Sequence, residues 1–237
     1  MFRTTVDDLS LFGGRTAAGP KPSFRPAVEA LEERMVLSFS LSSSFFGHGS
    51  TIPVEFASSG PYSGNWSPPL KWEDVPAGTL SFALIMDDVS IPSVADPNVK
   101  ETFNHWVIFN IPASTLSLRG AIPRREVLDD GALQGVNGNG AIDLLEGKPV
   151  SARGLGYLGP GPTDGKTHTY VFRLFALSTA QLTQGPGSQT PLTAGATKEQ
   201  LEIAMGGTMA GQGSILAVAE LRGLFNKAHY QVSNFVP

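Results

Sequence analysis

The sequence predicts a mainly β protein: an antiparallel β-sandwich with long Gly/Pro-rich loops and one or two short helices towards its C-terminal end. Three observations predict it. The 237 residues hold 27 Gly and 18 Pro but only 16% charged residues, the balance of a strand-and-loop chain. Short apolar runs rich in β-branched and aromatic residues recur between turn residues. A helix signal, by contrast, stands out late in the chain, at Thr197–Met205. The length suits a large β-domain with a full core.

Residues 1–38 differ from the rest. They are largely polar, punctuated by Gly and Pro, and without periodicity, so they read as a disordered extension. Val28–Leu37 has the spacing of two helical turns, too short to be stable alone. A basic segment followed by an apolar one is missing, so a standard secretory signal is not supported. FRPAVEALEERMVLS resembles a short "LEALEDR…S" motif near the N-termini of surface and secreted bacterial proteins, which implies an extracytoplasmic location; a plain tail is the alternative.

Residues 39–237 are expected to form the domain. Phe39–Ala57 alternates as a strand around a Gly47–His48–Gly49 turn, and residues 58–79 form a Pro-rich loop with a short extended piece at Leu70–Trp72. Leu80–Met86 and Trp106–Ile111 read as strands, and the acidic stretch between them reads as a loop. Residues 113–166 are Gly-rich and mostly irregular. His168–Leu177 is apolar on both faces and belongs inside the sandwich. Thr197–Gln200 is a capping box opening a helix from Lys198 to Met205, which Gly206 ends; Ser214–Phe225 is the last strand, and the tail after it is loose.

Composition excludes several functions. A net charge of −4 gives no footprint for nucleic acid. The absence of cysteine removes disulfides, thiolate metal sites and a cysteine nucleophile. No apolar run is long enough to span a membrane. Nucleophile-elbow, phosphate-loop and zinc-protease motifs are missing, so no cofactor is expected. Gly135–Glu146 matches several positions of a calcium-binding EF-hand loop, but its first position is Gly135 instead of a carboxylate, and a turn-rich loop is the simpler reading.

One constellation remains. Asp88 follows the first central strand, His105 precedes the second, and GYLGPGPTDGKTH delivers His168 at the start of the third. An acid, two imidazoles and a rigid loop with free N–H groups suit a small anion, because imidazolium and N–H groups donate to its oxygens and a carboxylate keeps a histidine charged. The structural alternative is that the acids form turns and His105 is simply a buried, hydrogen-bonded ring. As a metal site the set lacks diagnostic spacing, and as an acid–base site it lacks a nucleophile.

These residues carry a resemblance. Ile52–Pro53, NWSPPLKWEDVPAGTLSFALIMDD, His105–Trp106 before VIFNIP, GALQGVN at 131–137, and GYLGPGPTDGKTHTYVFRLFAL occur in the order seen in the phosphatidylethanolamine-binding protein family, in its bacterial Raf-kinase-inhibitor-like branch. The resemblance covers roughly residues 39–228. It implies a β-sandwich with a small anion pocket at one end. Matched by position, it assigns ligand binding to Asp88, Ser90, Pro92, His105, Tyr157, Gly161, Pro162 and His168. The chain departs from the family at Val89 and Ser90, where a proline and an acid are usual, and at Thr163, where a second proline is usual. An insertion at about Gly140–Leu155 splits two of the motifs.

The expected function is therefore non-enzymatic binding of a small phosphorylated or anionic ligand, of phospholipid-headgroup type, with His105 and His168 as donors. One alternative is a protein-interaction or inhibitor module acting through residues 58–79 and 113–155 on a protein partner. Another is an acid–base hydrolase using Asp88 and His105. A homodimer is compatible with the sequence.

Overall fold

A computed structural model describes residues 38–60, 62–92 and 100–228. The readings of residues 1–37, of Ser93–Val99 and of the C-terminal tail from His229 lie outside these. The strands are β1 (Ser40–Ser42), β2 (Ser50–Thr51), β3 (Leu70–Glu73), β4 (Ser81–Pro92), β5 (Lys100–Pro112), β6 (Ser117–Leu118), β7 (Leu133–Gln134), β8 (His168–Leu177) and β9 (Ile215–Phe225). Two helices, α1 (Gly138–Leu145) and α2 (Lys198–Met205), precede β8 and β9 respectively.

Two sheets result, one of three strands ordered β1-β3-β6 and one of six ordered β2-β9-β8-β4-β5-β7. The pairings are antiparallel except for the short β2, which runs parallel to β9. The main core lies between the sheets. Leu41, Leu70, Trp72 and Leu118 of the small sheet meet Phe82, Leu84, Met86, Trp106, Ile108, Tyr170, Phe172 and Leu174 of the large one. A second core covers the outer face of the large sheet, where Ala83, Ile85, Val107, Phe109 and Phe175 meet Leu201, Ala204 and Met205 of α2. β8 is thus apolar on both faces because it is covered on both faces. Each large side chain so buried contributes about 1.5–3 kcal/mol.

α2 forms where its signals place it. The Thr197 hydroxyl accepts from Gln200 N–H, the Gln200 side chain returns to the Thr197 N–H, and Gly206 closes the helix at φ 80°, a conformation that favours glycine.

Two expectations are corrected. The described part of the acidic stretch is strand: β4 continues past Met86 through Asp87, Asp88 and Ser90 to Pro92, paired with β8 as far as Asp88↔Tyr170. Turn propensity yields here because both carboxylates have partners in the fold. Residues 113–166 are mostly irregular, with β6, β7 and α1 among them. The EF-hand match fails because its middle is α1. The Asn137 side chain is spent as N-cap on Asn139 and Gly140 N–H, and the Asp143 carboxylate accepts Ser151 N–H at 2.8 Å.

Asp87 faces the α2 side. Its carboxylate, fully buried, accepts from Lys198 Nζ at 2.9 Å, Arg173 Nη1 at 3.3 Å and Asn104 Nδ2 at 3.2 Å. It ties the first residue of α2 to the sheet. Asp87→Ala is expected to destabilise the fold by about 3 kcal/mol in urea unfolding, because it strands partly buried cations. Asp87→Leu combined with Lys198→Met should recover most of that loss, since a buried pair can be replaced by apolar contact.

Candidate functional site

A cleft of about 600 Å³ lies between the ends of β4, β5 and β8 and the loop that carries Leu158–Asp164. Asp88, Pro92, His105, Gly161, Pro162 and His168 line it, together with Phe103, Leu158, Asp164 and Tyr170.

Strand geometry aims these groups. Side chains alternate along β4, so Asp88 shares the inner face with Phe82, Leu84 and Met86 while Asp87 takes the outer one. On β8 the same rule puts His168 and Tyr170 on the inner face with Phe172 and Leu174. On β5 the alternation is broken. Met86 pairs with Trp106 but Asp87 pairs with Asn104, which leaves His105 as the extra residue of a bulge. The bulge lets His105 line the cleft while its neighbour Trp106 enters the inner core.

His168 is buried between two carboxylates. Its Nδ1 lies 2.6 Å from Asp88 Oδ2 and its Nε2 3.1 Å from Asp164 Oδ1. Carboxylate oxygens only accept, so each ring nitrogen faces an acceptor and only a proton on that nitrogen makes the hydrogen bond. Asp88 is held from other sides too. Its Oδ1 accepts Ser90 N–H at 2.8 Å, and Tyr170 stands opposite it in the β4–β8 pairing. Burial, then the charge of Asp88, pushes the Tyr170 phenol well above its ordinary value, so it stays a neutral donor.

His105 is arranged differently. Its Nδ1 lies 2.7 Å from the Leu158 carbonyl, which can only accept, so Nδ1 carries the proton. The rings of Phe103 and Tyr170 stand edge-on to it at 5.0 and 5.1 Å. Burial pushes its pKa below the ordinary value, against the opposing pull of the Leu158 carbonyl and Asp88. The neutral ring leaves Nε2 as an acceptor. His105 thus turns an acceptor nitrogen to the cleft, while His168 faces Asp164 with its Nε2. Of the two histidines it is His168 that Asp88 holds, not the His105 of the acid–base alternative.

Two predicted residues do not line the cleft. Tyr157 is buried in the core, its hydroxyl donating to the Phe56 carbonyl at 2.8 Å and its ring edge-on to Trp106 at 5.5 Å. Ser90 acts behind the wall: its N–H holds Asp88 and its Oγ accepts Thr169 N–H at 2.8 Å. Gly161 does line it, but a Cβ there would sit 2.5 Å from Ser58 Oγ, so the glycine is needed for close packing of the loop on Ser58. Asn65 buttresses the same loop, its Oδ1 accepting Gly159 N–H at 2.7 Å. Tyr170, Phe103 and Asp164 were missed. The inward alternation of β8 was a signal for Tyr170, whereas nothing in the sequence placed Asp164 against His168.

The phosphatidylethanolamine-binding protein family profile matches residues 42–220, which include every element of this cleft. The chain belongs to that family. Among its relatives, a UPF0098 protein of Methanothermobacter thermautotrophicus is 36% identical over 182 residues, covering 77% of this chain and 95% of that protein. A UPF0098 protein of Aquifex aeolicus is 35% identical over 182 residues, 77% of this chain and 85% of that protein. Among solved structures, the phosphatidylethanolamine-binding protein homologue CT736 of Chlamydia trachomatis superposes with a TM-score of 0.59 at 29% identity, over 80% of this chain and 98% of that one. Escherichia coli YbcL, described as a member of the mammalian family, gives 0.59 at 27% identity, over 79% and 98%. No helix among the described residues is long and apolar enough to cross a membrane.

Two outcomes follow from the geometry. His105 has a folded-state pKa below its unfolded value near 6.5, so the unfolded chain binds more protons just below that pH. Its contribution to stability is complete above pH about 6.5 and falls as the pH drops from there towards the folded-state pKa. His105→Asn, which keeps a donor for Leu158, should flatten that part of a stability–pH curve measured by urea unfolding. Tyr157→Phe should cost about 1–2 kcal/mol by the same measurement, the cost of leaving the buried Phe56 carbonyl unpaired.

Proposed function

We propose that this family member binds a small phosphorylated or anionic ligand of phospholipid-headgroup type in the cleft, without turning it over. One observation carries the reading: His168 lies between two carboxylates, its inner nitrogen on Asp88 and its outer nitrogen on an oxygen of Asp164. That outer position is built for an oxyanion. Asp88 keeps the ring charged and turned outward, Pro162 and Gly161 form the loop wall, and Phe103 and Tyr170 supply apolar walls for a ligand's carbon atoms. His105 Nε2 accepts from any donor the ligand carries, such as the P–OH of a phosphomonoester or an ammonium group. The family's description, which names a phosphorylated amine headgroup, agrees with this pairing of donor and acceptor. The non-catalytic reading is supported by Asp88, whose two oxygens are engaged by Ser90 and His168 and so are poorly placed to act as a base.

The test is a thermal-shift titration with inorganic phosphate and phosphoethanolamine. A ligand that binds only the folded state at a hundred times its Kd stabilises by about 2.7 kcal/mol. The shift should be present in the wild type and in Tyr157→Phe, and lost in His168→Gln. A shift of equal size in His168→Gln would overturn the reading.

A further inference from the structure

The two carboxylates on His168 are not equivalent. Asp88 is buried, with 3% of its side chain exposed, and is held by Ser90 N–H as well as by His168. Asp164 is 31% exposed and sits in the exposed turn Thr163–Thr167, at the cleft wall. Apart from His168 its carboxylate has one further hydrogen bond, a local one from Lys166 N–H at 2.9 Å. The same oxygen, Oδ1, serves both partners. A side-chain rotation would therefore free His168 Nε2 without disturbing the buried network.

Resting on the anion-binding reading above, we propose that Asp164 is an internal competitor of the ligand and sets the site's selectivity. Its carboxylate occupies the oxygen position on His168 Nε2, and an external anion binds by displacing it. The exchange removes one singly charged oxyanion and installs another. A monocarboxylate gains little from it, whereas a phosphoryl group, with more charge and more acceptor oxygens, gains more. Asp164 thereby screens out simple carboxylates and leaves phosphoryl ligands as the class that binds. The Lys166 N–H, followed by the His168 ring, holds the Asp164 carboxyl below its ordinary range, so the competitor stays ionised at neutral pH.

The experiment measures phosphate and acetate affinities by calorimetry for the wild type, Asp164→Asn and Asp164→Ser. Asn keeps the turn and removes the charge; Ser keeps the turn and vacates the position. Both should tighten phosphate about five- to tenfold, from loss of a partly exposed ion pair and of repulsion between two anions. Acetate should gain at least as much, narrowing the preference for phosphate. Binding of phosphate by the variants alone counts as the same result in a stronger form. Phosphate affinity unchanged or weakened in both variants overturns the competitor role and leaves the anion-binding reading standing. No binding by the wild type or either variant overturns both.

Discussion

A strand turns consecutive side chains to opposite faces, and at Asp87–Asp88 that rule puts two adjacent carboxylates into two different interiors. Each would cost several kcal/mol to bury alone. The fold must therefore bring a hydrogen-bonding partner to each face of one strand. On the outer face it brings Lys198 from the start of α2 and Arg173 from β8. On the inner face it brings His168 from the start of β8. Both β8 residues arrive in one register, Asp87↔Val171 and Asp88↔Tyr170. A slip of one residue would exchange the faces and leave both charges unpaired. Charge pairing and apolar alternation thus specify the same register, and the end of the sheet that holds the cleft is the end where the pairing is ionic.

The second constraint is the bulge at His105. Without it, strict alternation from Trp106 would turn His105 to the face opposite Trp106, among the residues packed on α2. The extra residue places an imidazole and an indole side by side on the inner face. Trp106 is then held by Gln134 Oε1 at 3.0 Å and His105 by Leu158 O at 2.7 Å. Gln134 also donates to the carbonyls of Pro123 and Arg125, both at 2.8 Å, so one buried amide links β7, β5 and the loop before β7. The irregular segments around the cleft are ordered by such side-chain-to-backbone contacts in place of a ladder.

This division explains what could be read from the sequence. Strands with strong apolar periodicity, β8 and the apolar halves of β4 and β5, were legible, as was α2 with its capping box and terminal glycine. The polar half of β4 was not, because Asp and Ser favour turns and the partners that override this lie far along the chain, at Arg173, Lys198 and His168. α1 was missed because two of its first three residues are glycines, the poorest helix formers after proline; the capping Asn137 was a local signal for it. Asp88, His105 and His168 were found through residue type and the family resemblance together. Who pairs with whom was not legible, since that depends on a bulge and on a five-residue turn. The resemblance also drew Tyr157 into the site, where a core tyrosine beside the loop had been assigned a ligand role.

The polar groups of the cleft are largely satisfied by the chain itself. Asp88 and both nitrogens of His168 have protein partners, and His105 has one for Nδ1. Binding at such a site is an exchange of hydrogen bonds, since a ligand group gains a partner only where a protein group gives one up. The net gain is small per contact, so discrimination comes from which protein group can leave. Those fixed by several buried partners cannot, and here they form the innermost layer. The group held by a local turn and partly exposed to water can. A site built this way has a rigid inner shell that sets the charge and orientation of one imidazole, and a replaceable outer oxygen that decides what meets it.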